Sequence, residues 1–239
     1  MKLGFYPKLA WTGMRSNRKL YLPYLITCIS MVAMLYIVGY LSGAEAVRHL
    51  PGGQFIQESL GLGVWIIALF AGLFLLYSSS FLMRRRKKEF GLYNILGMGK
   101  GHLGMVVFWE TVMQAEISLS AGLVAGIMLS KLSELCIVNI VGGEVDYSLT
   151  ISGRSVITAF IVFAVIFLVI MVKSLWQIRR TNAINLLKSE NVGEKLPRLH
   201  WFWGTLGAVI LGAAYYLALS IEDPLSALFI FFGAVGMVI

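Results

Sequence analysis

Few residues in this sequence could do chemistry, and most of them sit in apolar surroundings. Glu110, Gln114 and Glu116 fall inside the apolar stretch Met105–Leu129. At the centre of a bilayer a carboxylate costs about 2.5–3.5 kcal/mol on insertion scales, so an acid in such a stretch is a functional candidate by default. Two alternatives stand beside that reading: Glu110 reaching back to the basic run Arg84–Lys88, and Glu116 staying protonated against a neighbouring helix. Lys88, Glu89, Phe90, Gly91, Leu92 and Tyr93 offer a different chemistry, charge beside apolar anchors beside a glycine, which suits recognition of a partner. Bond-making chemistry finds no candidates. The sequence has no GxxxxGK[ST] phosphate loop, since Gly99-Lys100-Gly101 lacks both the upstream glycine and the following Ser or Thr. It has no HExxH and no GxSxG. Cys28 and Cys136 form no CxxC or Cys/His pattern, so no metal or disulfide framework is expected. His49, His102 and His200 are far apart and read as loop or helix-end residues.

The elements that must position these residues are membrane spans. Apolar residues make up 58% of the chain and charged residues 13%, against roughly 45–50% and about 25% in a soluble domain. The excess is gathered into runs of the length a helix needs to cross a bilayer, about 20 residues. Five spans are expected at Leu20–Leu41, Leu60–Leu82, Met105–Leu129, Val156–Trp176 and Trp201–Leu219. Leu225–Ile239 reads as the start of a sixth, and its abrupt end suggests the amino-terminal part of a longer protein. The first run is too long for the apolar part of a signal peptide, about 7–15 residues, and is read as a retained span with Pro23 in its first turn. The expected fold class is all-α, a polytopic transmembrane helix bundle.

Lysines and arginines set the orientation, because basic loops stay in the cytoplasm. Before the first span lie Lys2, Lys8, Arg15, Arg18 and Lys19. Between the second and third lie Arg84, Arg85, Arg86, Lys87, Lys88 and Lys100. The segment after the fourth carries Lys173, Arg179, Arg180, Lys188, Lys195 and Arg198. Only Arg48, Lys131 and Arg154 fall on the other side, where most acids gather. The amino terminus is therefore expected in the cytoplasm of a cell with this protein in its plasma membrane. Basic residues flanking spans also attract anionic lipid, so the net charge of +8 calls for no nucleic acid. Tyr21, Tyr24, Trp176, Trp201 and Trp203 sit near span ends, where amphipathic rings prefer the headgroup level.

Two patterns stand out against this frame. Between the second and third spans, Lys88–Gly97 reads as a helix, with Phe90, Tyr93 and Leu96 at spacing three and Leu92 beside them. Such a stripe lies on a membrane or docks into a groove on a partner. The glycines of Gly97–Gly101 then end it. In the third span Glu110, Gln114, Ser118, Gly122, Gly126 and Ser130 recur every four residues, forming one ridge. Gly122 and Gly126 make a GxxxG pair that permits close helix packing.

The run Lys88–Met98, KEFGLYNILGM, followed by a glutamate-bearing helix with spaced small residues, resembles the core motif of FtsX-like ABC permeases. More narrowly, the chain resembles the BceB-type permeases of bacitracin and antimicrobial-peptide transporters. Lys8–Leu25, KLAWTGMRSNRKLYLPYL, is similar to the opening of that group, and IRRTNAINLLK at 178–188 to its second cytoplasmic segment. The spans and the resemblance, which covers most of residues 1–190, together divide the chain into a basic opening segment 1–19, a first span with outer loop 20–59, and a permease core 60–177 containing a cytoplasmic coupling segment 83–104. A cytoplasmic segment 178–200 and the spans of 201–239 complete it. It implies that Lys88, Glu89, Phe90, Gly91, Leu92 and Tyr93 contact a separate ABC ATPase subunit, which would hold ATP and magnesium; no cofactor is expected in this chain. It implies peptide-antibiotic export or resistance, and a sensor histidine kinase as a further partner. It also leaves open a signalling scaffold that works with such a kinase or a cell-wall enzyme, and extraction of lipids or lipoproteins. In that group the complete protein has ten spans and a large outer domain.

Overall fold

The computed structural model describes residues 4–95, 97–141 and 151–180, with a few isolated residues between 205 and 216. The described residues are helical, with no strand among them. The helices are α1 (Phe5–Ser16), α2 (Arg18–Gly43), α3 (Glu45–Arg48), α4 (Gly53–Arg85), α5 (Lys87–Ile95), α6 (Lys100–Val141) and α7 (Gly153–Arg180). Of these, α2, α4, α6 and α7 are long and apolar enough to cross a membrane, and they correspond to the first four expected spans. The fifth and sixth expected spans lie outside the described residues, apart from those isolated positions, in a separate unit at 192–239.

The helices outrun the apolar runs read from sequence. At about 1.5 Å per residue α6 is about 63 Å long and α4 about 50 Å, against a hydrocarbon core of about 30 Å. A helix continues into water as long as its backbone bonds are made, so hydropathy marks the span but not the helix ends. Thus α2 starts at Arg18 rather than Leu20, which places Pro23 in the second turn and not the first. Its missing N–H leaves one backbone carbonyl without its helical partner, and the helix continues through it to Gly43.

The central helix is α2, packed against α4, α6 and α7. Tyr24, Cys28, Val32, Tyr36 and Tyr40 are all buried along it, a row of four-residue spacing. The facing row on α6 is the ridge of Glu110, Gln114, Ser118, Gly122, Gly126 and Ser130, every member of which is buried. Between hydrocarbon-soluble helices there is little hydrophobic drive to associate, so close packing must hold them. The two glycines supply it. A methyl group on Gly122 would come within 2.6 Å of Val32 Cβ, and one on Gly126 within 3.1 Å of Tyr36 Cβ. Running opposite to α2 and α6, α7 buries Ser155, Ala159, Phe163, Phe167, Ile170, Ser174 and Ile178.

The basic ends of the spans meet at one end of this bundle. There the Tyr6 hydroxyl and the His102 ring nitrogen are 2.6 Å apart. Lys100 Nζ donates to the Arg179 carbonyl at 3.3 Å. Arg48, Lys131 and Arg154 sit toward the opposite end, with α3 and the start of α7.

Gly122→Ala should destabilise the protein by about 1–3 kcal/mol, the usual cost of overpacking. Val32→Ala in the same chain should recover little of that loss, because it removes the Val32 Cγ1 contact at 2.8 Å but keeps Val32 Cβ at 2.6 Å and the Ile29 carbonyl oxygen at 2.9 Å. Thermal unfolding of the three variants in detergent measures both effects.

Candidate functional site

α5 follows α4 after one residue, Arg86, and that residue organises the site. Arg86 ends α4 with its side chain only 1% exposed. Its Nε donates to Glu89 Oε2 on α5 at 3.0 Å, and its Nη1 to Glu110 Oε2 on α6 at 2.6 Å. The same Nη1 donates to the Tyr21 hydroxyl of α2, and that hydroxyl donates to Glu110 Oε2 at 3.1 Å. Glu89 Oε1 accepts from Asn17 Nδ2, at the junction of α1 and α2, at 2.6 Å. The guanidinium also lies over the Phe90 ring at 4.9 Å and the Tyr21 ring at 5.2 Å. Gly13 of α1 closes the node: a Cβ there would stand 3.3 Å from Glu110 Oε1 and 3.4 Å from Arg86 Nη2. One arginine thus ties together α2, α4, α5 and α6, with α1 against it.

Burial by itself would lower the Arg86 pKa, but Glu110, Tyr21 and Glu89 outweigh it, so the value is raised and the guanidinium stays charged. A buried cation needs such partners, since removing its counter-charge costs about 3–5 kcal/mol.

A second polar node stands at the other end of the α2–α6 contact. Tyr40 donates to Glu134 Oε2 at 2.7 Å, and Lys131 Nζ pairs with the same oxygen at 3.0 Å. Glu110 and Glu134 are about 36 Å apart along α6, and Tyr21 and Tyr40 about 29 Å apart along α2, at 1.5 Å per residue. These separations bracket the thickness of a hydrocarbon core. The buried charges therefore sit at its two boundaries, and the glycine contact lies between them.

The expected site residues divide accordingly. Glu110 is in the Arg86 node, and Gln114 is buried one turn along the same ridge. Glu116 is exposed on another face of α6 and joins neither node. Lys88 lies in α5, but its side chain is outside the described set. Glu89 turns inward to Arg86 and Asn17. Phe90 is 3% exposed and packs with Met83, Leu103, Val107 and Ile178. Gly91 is buried and Tyr93 half-buried. Leu92 and Ile95, at 55% and 62% exposed, form the outward face of α5. Phe90 in this structure is an anchor into the bundle, not an exposed plug for a partner's pocket, and Glu89 spends its charge inside the chain. Gly97, at φ 92°, turns the backbone toward α6.

Sequence reasoning missed Arg86, Tyr21 and Asn17 as parts of the site. Arg86 was one of five consecutive basic residues, and nothing in composition separates the buried one from its neighbours. A signal did exist in the spacing: Arg86, Glu89 and Phe90 share one face of a helix at i, i+3 and i+4.

The family model described as FtsX-like permease C-terminal matches residues 61–183, from within α4 to just beyond α7. The chain is similar to the uncharacterized ABC transporter permease YvcS of Bacillus subtilis (strain 168), 26% identical over 212 residues that cover 88% of this chain and 33% of that protein. To the bacitracin export permease protein BceB of the same organism it is 27% identical over 219 residues, with the same coverage. To the BceB protein of Halalkalibacterium halodurans it is 22% identical over 210 residues, covering 86% of this chain and 32% of that one. The chain thus spans about a third of the length of the curated relatives it matches.

Arg86→Met should destabilise the protein by about 3–5 kcal/mol, because it leaves the buried Glu110 without its counter-charge, and Glu110→Leu by less, because Arg86 keeps its bridge to Glu89. The double replacement Arg86→Met with Glu110→Leu should recover most of that loss. Chemical or thermal unfolding in detergent reads this double-mutant cycle, and simple additivity of the two losses would contradict the node.

Proposed function

The chain belongs to the FtsX-like permease family, and from that premise we propose that it forms part of the membrane subunit of an ABC transporter, with α5 as the contact for a separate ATPase. The observation that carries this reading is the position of α5. It leaves Leu92 and Ile95 facing outward, while Glu89 and Phe90 fasten it to the bundle through Arg86. A short helix with an apolar outer face and an ionic root is suited to receiving a partner and moving with the spans it is rooted in. In this reading ATP and magnesium belong to the ATPase, since the present sequence carries no phosphate loop. The basic end of the bundle faces the cytoplasm under the positive-inside rule.

The relatives named for bacitracin export suggest the cargo class, a peptide antibiotic directed at the cell wall or the lipid complex it makes. Identity near one quarter over one third of those proteins supports resistance to such a peptide as the reading to test first.

Leu92→Glu combined with Ile95→Glu should abolish co-purification of the ATPase from the native host without lowering the unfolding temperature. Apolar anchors dominate the energy of such contacts, so a loss of tenfold or more in recovered ATPase is expected. Full ATPase recovery with the double variant would overturn α5 as the contact. Bacitracin sensitivity of the same strains reports on cargo separately.

A further inference from the structure

Beside the Arg86 node, on the outer surface of the bundle, α1, α2 and α6 enclose an open groove of about 180 Å³. Its floor is apolar: Met14 from α1, Leu22 and Leu25 from α2, and Ile117 from α6. Trp11 stands at its rim, half exposed, and Arg15 and Arg18 border it with their side chains in the open. Neither arginine is paired with a carboxylate among the described residues. Tyr21 forms the inner wall, so the groove backs directly onto the node.

This combination points to one kind of occupant. The apolar floor opens along the side of the bundle, on helices whose neighbouring residues Leu22 and Ile26 are 60% and 54% exposed and face hydrocarbon in a bilayer. Arg15 and Arg18 belong to the end of α1 and the start of α2, where the basic ends of the spans gather, within about one turn of the Tyr21 that joins the buried Arg86–Glu110 pair. A tryptophan at that level marks the headgroup boundary. The volume is below the roughly 300–1,000 Å³ of a site that encloses a whole small molecule, and suits part of one acyl chain. An interfacial amphipathic helix carrying basic residues is itself a common membrane-surface element, and α1 has that character through Phe5, Lys8, Trp11 and Arg15.

We propose that this groove is a binding site for one anionic phospholipid, with an acyl segment against Leu22, Leu25 and Ile117 and the phosphate held by Arg15 and Arg18. Occupancy would place the headgroup beside α1 and an alkyl chain against the Tyr21 wall of the node. The site does not depend on the transporter reading, because it is built from the bundle alone. Charge complementarity selects the lipid class: a basic residue at an anionic surface contributes about fivefold in preference, so two contribute about thirtyfold.

The test is native mass spectrometry of the complete gene product in detergent, titrated with phosphatidylglycerol or with phosphatidylcholine of the same acyl chains. The expected result is one retained phosphatidylglycerol, held at least tenfold better than phosphatidylcholine. Arg15→Gln with Arg18→Gln should reduce that preference to near unity. Ile117→Trp, which fills the floor and keeps both arginines, should lower retention of phosphatidylglycerol about tenfold. Equal retention of the two lipids by the unaltered protein would overturn the proposal. So would unchanged preference in the arginine variant, or unchanged retention in Ile117→Trp. A groove covered by another part of the protein would retain neither lipid, and that result also rejects it. ATPase recovery measured on the same preparations is a separate readout, so failure of the lipid site and failure of the transporter reading remain distinguishable.

Discussion

Arg86 is a charge that a membrane protein has no cheap way to keep, and much of the described structure follows from keeping it. A guanidinium removed from water needs opposite charge and hydrogen-bond acceptors on several sides. No single helix supplies them here. Glu110 comes from α6, Glu89 from α5 and the Tyr21 hydroxyl from α2, while Phe90 and Tyr21 rings flank the cation. The four elements must therefore assemble for any of them to be satisfied. That makes the node a specifying contact: one register of α2 against α6 brings Tyr21 to Glu110, and a slip of one turn would part the buried Tyr21 hydroxyl from Glu110 and Arg86.

The glycine contact does the complementary work in the apolar zone. Between the two polar nodes no ion pair among the described residues fixes how α2 lies on α6. Steric fit takes over, with Val32 and Ala33 meeting α6 where Gly122 and Gly126 leave room. The ionic nodes at the two ends and the close approach between them constrain the same pair of helices, and the spacing of the nodes agrees with the thickness of the hydrocarbon they must avoid.

Much of this was legible in the sequence. The four described spans, the α5 helix ended by Gly97, and the four-residue ridge on α6 all follow from hydropathy, helical spacing and glycine placement. Each is a property of a single segment. What was not legible depends on pairs of segments. Phe90 and Leu92 look alike as apolar residues of one short helix, and only the position of Ile178 and Leu103 decides that Phe90 goes in and Leu92 stays out. Glu89 reads as available charge until Arg86 and Asn17 are seen beside it. Helix ends were misjudged for a simpler reason: α6 runs to Val141 because a helix can outlast its apolar stretch, and its last turns stand beyond the Lys131–Glu134 pair.

The inward turn of Glu89 and Phe90 also bears on how the proposed coupling would work. If α5 met its partner through both charge and ring, it would be attached to the bundle only by its ends, and a push on it would be absorbed by bending. Fastened through Arg86, it has no such freedom. A displacement at Leu92 and Ile95 is passed to Arg86, and from there to Tyr21 and Glu110 on two parallel helices whose glycine contact resists independent sliding. Packed interfaces of this kind tend to hold discrete arrangements and not to deform continuously. In the proposed transporter, work delivered at α5 would therefore move α2, α6 and the Arg86 end of α4 together as one unit, and not as separate helices.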